Sequence, residues 1–192
     1  MIEEINEKTL VLLKPDAVQK NLIGRIISRF EESGLKICAM KMTHASKSLA
    51  EKHYPLDDAW AENVFKKRKA VAEKEGKPLE YKDASELAKL LQSWLLEYIT
   101  ESPIIAIVLE GPHAIELVRK IVGHTEPRQA LPGTIRSDFA SIESYKLADL
   151  KKRATRNLIH GSDSVENAQK EIALWFKSNE IHDYKRDQDR LL

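Results

Sequence analysis

Two uninterrupted apolar runs limit what this chain can fold into more than any other feature. Thr9-Leu10-Val11-Leu12-Leu13 stops at Lys14-Pro15-Asp16, and Ile104-Ile105-Ala106-Ile107-Val108-Leu109 stops at Glu110-Gly111-Pro112. Short apolar runs without polar alternation, bounded by Pro and Gly, read as central strands buried on both faces. Both are far too short to span a membrane. Pro15 ends the first by removing a ladder donor, which carries Lys14 to the carboxyl end of that strand.

Helical spacing surrounds these strands. Leu22, Ile23, Ile26, Ile27 and Phe30 form one face of a helix that Gly34 closes in the left-handed conformation. Leu35 to Thr43 reads as a second strand pairing with the first, and Ser46 or Ser48 caps a short helix reaching Tyr54. Residues 55–93 are charged and poor in strand signals; they read as two helices broken at Gly76-Lys77-Pro78, the second starting at Asp83 or Ser85 and running to Tyr98 and Ile99. The next helix puts Pro112 near its first turn, takes its face from Ile115, Val118, Ile121 and Val122, and closes at Gly123. His124 to Arg136 is a long loop punctuated by Pro127, Pro132 and Gly133, the kind of segment that carries function in a small domain. Asp138 to Arg156 holds an insertion or short helix, and Leu158-Ile159 is the fourth strand. A last helix starts right after His160 on the face Val165, Ala168, Ile172, Trp175 and Phe176, with Asp163 and Glu166 as a capping box. In the charged tail, Ile181, Tyr184, Leu191 and Leu192 are packing anchors. Periodicity leaves two topologies open, a doubly wound parallel sheet and a βαββαβ ferredoxin-like sheet.

Composition narrows the class. With 192 residues, 42% hydrophobic and 32% charged, the chain makes a single domain with insertions. A net charge of +1 without a basic block gives no footprint for specific nucleic acid or for a membrane surface. The one cysteine, Cys38, has no internal disulfide partner, and the start Met1-Ile2-Glu3-Glu4-Ile5-Asn6-Glu7 is acidic. A cytoplasmic location follows as the expectation.

The chemistry gathers around Asn157-Leu158-Ile159-His160-Gly161-Ser162-Asp163-Ser164. A histidine delivered from a strand end beside a helix start is placed to attack or carry a phosphoryl group, because helix N-termini attract anions. Taken singly, such a histidine is more often structural, and each of Lys14, Tyr54, Arg119, Thr125, Arg136, Asn157 and Glu171 is more often a surface charge or cap. Together they suit a polyphosphate, since phosphoryl transfer is catalysed mainly by positioning and charge neutralisation. No G-x-x-x-x-G-K-[ST] or G-x-G-x-x-G loop is present, so phosphate contacts must come from side chains.

Lys14-Pro15-Asp16, the His53-Tyr54 pair, Pro132-Gly133-Thr134-Ile135-Arg136 and the block from Asn157 to Ser164, continued by Glu171-Ile172 and Trp175-Phe176, closely resemble the nucleoside diphosphate kinase family from Thr9 to about Tyr184. The resemblance implies an α+β, ferredoxin-like βαββαβ core with a four-stranded antiparallel sheet in one domain over 1–192. It implies a ping-pong exchange in which a nucleoside triphosphate phosphorylates His160 and a nucleoside diphosphate takes the group away. Glu171 would orient the imidazole, with Ser162 supporting Glu171. Lys14 and Asn157 would contact the ribose 3′-hydroxyl, Lys14 also lying near the leaving oxygen. Arg119, Thr125 and Arg136 would bind phosphates, Tyr54 would stand beside the histidine, and Leu95 would belong to the nucleotide pocket. Mg2+ would arrive on the phosphates, and the protein would assemble as a homo-oligomer, a tetramer or hexamer. The departures are two insertions, about 55–93 and 141–152, Ser137 where the family has glycine, and no clear counterpart of the base-stacking phenylalanine. Leu91 falls at that register, while Trp60, Phe65 or Trp94 could supply the surface. The long insertion is expected to form a lid over the base. Two rival readings are a regulatory or interaction protein that binds nucleotide without efficient turnover, and a histidine phosphatase or phosphocarrier, which would have no use for Lys14 and Asn157.

Overall fold

The computed structural model describes residues 4–76, 78 and 81–190. The chain runs β1 (Asn6–Leu13), α1 (Pro15–Gln19), α2 (Ile23–Glu32), β2 (Lys36–Thr43), α3 (Lys47–His53), α4 (Asp58–Glu75), α5 (Ala84–Thr100), β3 (Ile104–Pro112), α6 (Ala114–Val122), α7 (Ile135–Ala140), α8 (Tyr145–Leu150), β4 (Ile159–Gly161) and α9 (Val165–Trp175). The strands form a four-stranded sheet in the order β2-β3-β1-β4, antiparallel at every pairing. This is the ferredoxin-like α+β arrangement.

The apolar runs are continuous because helices cover both faces of the sheet. Val11, Leu13, Ile105, Ile107 and Leu109 point to one side and pack with Ile26 and Phe30 of α2 and Val118 and Val122 of α6. Leu10, Leu12, Ala106 and Val108 point to the other and pack with Ala50, Ile99, Trp175 and Phe176 around α3, α5 and α9. Successive residues of each strand thus serve two separate cores.

Several elements depart from the sequence expectation, each for a local reason. β2 pairs with β3 and not with β1, whose two edges are taken by β3 and β4. Pro112 ends β3, and His113 at φ 52° is the residue that starts α6. Ile135 and Arg136 are the first turn of α7, whose cap is Thr134 accepting from the Ser137 N–H, so the loop stops earlier than its composition suggests. Leu158 lies outside β4 because its φ is +67°, a conformation rare for a bulky residue, although its side chain is fully buried. α9 starts at Val165, not after His160: Ser164 is the cap, accepting from the Asn167 N–H, and Glu166 pairs with Lys170 in place of closing a box with Asp163. The caps of α3 by Ser46 and of α5 by Asp83 stand as expected.

In the tail, the His182 N–H donates to the Cys38 carbonyl and the Tyr184 hydroxyl to the Ile37 carbonyl, at the bulge in β2. The expected break at Gly76-Lys77-Pro78 falls partly, and the anchors Leu191 and Leu192 wholly, outside the described residues. Of the described residues, no helix is long and apolar enough to cross a membrane.

Candidate active site

The pairing of β4 with β1 sets the site. Leu12 stands opposite His160, with Val11 opposite Gly161 and Leu13 opposite Ile159. Paired residues share a face, so His160 lies on the α3 and α9 side with Leu12, while Ile159 joins the α2 and α6 core. A Cβ on Gly161 would come within 2.9 Å of Val118 on α6, which is why glycine follows the histidine.

α9 presents Glu171 and Trp175, four residues apart and therefore on one helical face, to this strand end. Both Glu171 oxygens lie near His160 Nε2, at 2.9 and 3.0 Å, and the Ser162 hydroxyl donates to Oε2 of Glu171 at 2.5 Å. Ser162 is itself fully buried and held by the Leu10 backbone, whose N–H donates to its hydroxyl at 3.2 Å. A carboxylate only accepts, so neutral His160 carries its proton on Nε2 and keeps the Nδ1 lone pair. His160 is half-buried, its side chain 23% exposed.

A buried polar cluster lies beside this pair. Lys14 Nζ donates to Asn157 Oδ1 at 2.8 Å, and Asn157 Nδ2 donates to the Thr125 carbonyl at 3.0 Å. The turn at Leu158 lets its carbonyl accept from the Lys14 N–H at 2.8 Å, tying the end of β1 to the approach of β4. Arg136, also buried, donates to the carbonyls of Asn157, Gly123 and Ile159 at 3.2, 2.9 and 2.6 Å. An arginine has five N–H donors, so some remain for an anion. Burial, reinforced by the Arg136 charge, pulls the Lys14 ammonium down to about 7. Burial likewise lowers Arg136 to about 10.

Of the remaining expected residues, Arg119 is exposed on α6 and its charge is felt by both Arg136 and Asp163; Thr125 is exposed in the loop. Tyr54 caps α3, its hydroxyl buried without a hydrogen-bond partner among the described residues and pushed up by burial and by the Glu171 charge. Leu95 is half-buried on α5, one turn before Tyr98.

Five residues outside the expected set join the site: His53, Trp175, Tyr98, Asp16 and Arg156. His53 packs its ring against His160 with centroids 4.6 Å apart, and Trp175 Nε1 donates to His53 Nδ1 at 3.3 Å. Tyr98, fully within α5, donates to Asp16 Oδ1 at 2.5 Å, and its ring has Lys14 Nζ 5.1 Å and Arg156 4.4 Å from its centroid. The motifs His53-Tyr54, Lys14-Pro15-Asp16 and Trp175-Phe176 were the available signals for His53, Asp16 and Trp175; nothing local marks Tyr98 and Arg156, which join the site only through folding.

One ring nitrogen each from His53 and His160 and one oxygen of Glu171 lie within 4.8 Å of one another. His160 Nε2 and Glu171 already hold each other, and His53 Nδ1 accepts from an indole that can only donate, so its other nitrogen bears the proton. Nearby Asp163 accepts from Asn167, and Asp16 from Tyr98. The site is thus a cationic cradle in which a divalent ion would find phosphate oxygens more readily than protein carboxylates.

Comparisons with known proteins agree with this geometry. A sequence model described as Nucleoside diphosphate kinase matches residues 7–71 and 64–181. The chain is 44% identical over 179 residues to a nucleoside diphosphate kinase of Pyrobaculum aerophilum, covering 91% of this chain and 97% of that one. It is 46% identical over 189 residues to one of Pyrococcus abyssi, covering 98% and 96%. Among solved structures, a transition-state mimic of the Borrelia burgdorferi kinase with bound vanadate and ADP superposes with a TM-score of 0.80 at 40% identity, covering 97% of this chain and 96% of that chain. An NDP kinase from Pyrobaculum aerophilum gives 0.87 at 41% identity, covering 93% and 100%. Matches that run nearly end to end, around a histidine held by a carboxylate on a ferredoxin-like sheet, place this chain in the nucleoside diphosphate kinase family.

Proposed function

We propose that this nucleoside-diphosphate kinase moves the γ-phosphoryl group of a nucleoside triphosphate to a nucleoside diphosphate through Nδ1 of His160. The observation that carries the assignment is the grip of both Glu171 oxygens on Nε2, which leaves Nδ1 as the nucleophile. In the first half-reaction the Nδ1 lone pair forms a bond to the γ-phosphorus, and the bond to the bridging oxygen breaks with its electrons leaving on the diphosphate. In the second, a terminal oxygen of the incoming diphosphate attacks that phosphorus and returns the lone pair to Nδ1. Glu171 stabilises the positive charge that develops on the ring.

Lys14 and Asn157 are assigned to the ribose 3′-hydroxyl, with Lys14 also at the leaving oxygen; Arg119, Thr125 and Arg136 are assigned to the phosphates. Tyr54 lines the space beside the histidine, and Leu95 the nucleotide pocket. Mg2+ would be carried by the phosphates, where it neutralises their charge. The buried thiol of Cys38, raised to about 12 chiefly by burial, suits a reducing cytoplasm.

The inserted helices fit a lid. α4 leaves the Tyr54 end of α3, and its Arg68 makes a two-pronged ion pair with Asp149 of α8, with the guanidinium 5.8 Å from the Tyr145 ring centroid. The Tyr145 N–H donates to Glu126 at 3.0 Å, next to Thr125, so the two insertions together bridge both sides of the proposed cleft. Met40 and Met42 on edge strand β2, and Leu131, Ile142 and Leu150 elsewhere, are exposed apolar side chains that suit contacts in a homo-oligomer, a tetramer or hexamer.

Four measurements test this reading. Labelled ATP should leave acid-labile phosphate on wild-type protein and none on His160→Ala, and GDP should remove it as GTP; label that never leaves would instead make the protein a carrier. In the free protein Lys14 has a pKa of about 7, so it is mostly neutral at alkaline pH and a docked polyphosphate favours its charged form. Calorimetry of ADP binding in buffers of different ionisation heat should therefore find uptake of about one proton at alkaline pH. That uptake should fade at acid pH, where Lys14 is already charged, and vanish in Lys14→Met. Deleting residues 57–82 should raise the nucleotide KM, whereas an unchanged value would refute a lid. Sedimentation should return a mass of four or six chains; a monomer would reject the assembly.

A further inference from the structure

We propose that His53 is a positioning residue that locks the ring of the catalytic imidazole, its own tautomer set by Trp175. This inference rests on the reading of His160 as the phosphoryl acceptor and extends it to a second histidine. His53 is the last residue of α3 and 7% exposed. Its ring stands edge to face with His160 at 4.6 Å and 83° between planes, with Tyr54 at 4.6 Å and 64°, and with Trp175 at 5.6 Å and 83°.

The tautomer follows from donor chemistry. An indole N–H only donates, so His53 Nδ1 must accept and the proton of the neutral ring sits on Nε2. That nitrogen is sealed from solvent and has no hydrogen-bond partner among the described residues. Burial and the neighbouring His160 and Lys14 disfavour a second proton on the ring. His53 is thereby a neutral wedge of one fixed orientation.

The wedge supplies what Glu171 does not. The carboxylate holds His160 at a single nitrogen, and a ring gripped at one edge still pivots about that contact, swinging Nδ1 away from the line of attack. A second ring set at right angles against it removes the pivot. The same face of α9 governs both constraints, since Glu171 reaches His160 and Trp175 reaches His53 from positions one turn apart. Catalytic groups tolerate misalignment of only about 10–20°. The pair of imidazoles is thus held by one rigid helix.

The test is single-turnover phosphorylation by ATP together with the tautomer of His53. In His53→Leu, which fills similar space without ring nitrogens, the rate of phosphohistidine formation should fall about 10- to 100-fold, the loss expected of a misplaced nucleophile. ADP affinity should stay within about twofold, because the phosphate-binding groups are untouched. His53→Gln, whose carbonyl can accept from Trp175 and whose amide retains a donor, should recover much of the rate. Nitrogen-15 NMR should show the Nε2–H tautomer at His53 in the wild type and its loss in Trp175→Phe, with a slower rate in that variant. A wild-type rate in His53→Leu, or an Nδ1–H tautomer in the wild type, would overturn the proposal. Should His53→Leu not fold, the tautomer and the Trp175→Phe rate decide alone. Slow labelling of His160 in the variants keeps the phosphohistidine reading intact, whereas an unlabelled wild type would reject that reading instead.

Discussion

A three-residue ladder, Ile159–Gly161 against Leu13–Val11, decides where every reacting group stands. Side chains alternate across a strand, so a slip of one residue would turn His160 toward α6 and send Ile159 into the polar site. The register is held from both sides. Ile159 is fully buried among α2 and α6 side chains, Gly161 has no room for a larger residue beside Val118, and Ser162 exchanges hydrogen bonds with Leu10 just past the ladder. Packing that serves the core therefore also aims the imidazole.

The neighbourhood of that ladder concentrates features that an ordinary core avoids. Arg136 and Lys14 are buried cations held by backbone carbonyls and by Asn157, without an ion pair to a carboxylate among the described residues. Burying a charge in this way is costly, and the lowered Lys14 value reports it. Leu158 adopts a left-handed backbone, and the buried polar atoms without partners among the described residues include Asp16 Oδ2, His53 Nε2 and Tyr54 Oη, all next to the site. Strain and unpaired groups gather where a protein is arranged around something it binds. An anionic ligand would relieve the positive charge that the fold itself leaves uncompensated.

How far the site was legible differs residue by residue. His160, Glu171 and Ser162 stand on one motif and one helix, and the fold brings the three into hydrogen-bond contact. Lys14 and Asn157 were readable as types, yet their mutual hydrogen bond joins the ends of two different strands. His53 and Trp175 stood in the sequence as a motif neighbour and a core aromatic, and only the packing of α3 against α9 brings the indole to the imidazole. Residues 55–93 and 141–152 read as inserted lengths, but the Arg68 and Asp149 pair between the helices there was not legible, since charge patterning in exposed helices does not specify a distant partner.

Apolar continuity in β1 and β3, the spacing of helical faces and the glycines at turns determined from sequence alone that the chain would fold as a sheet with helices on it. Motif residues likewise determined which chemistry to look for. The partner of each strand, the left-handed turn at Leu158, the start of α9 at Val165 and the face on which His160 lies were decided only by tertiary structure. The physical reason is range: periodicity and capping act over a few residues along the chain, whereas register, burial of charge and ring packing depend on which distant surfaces compete for the same space.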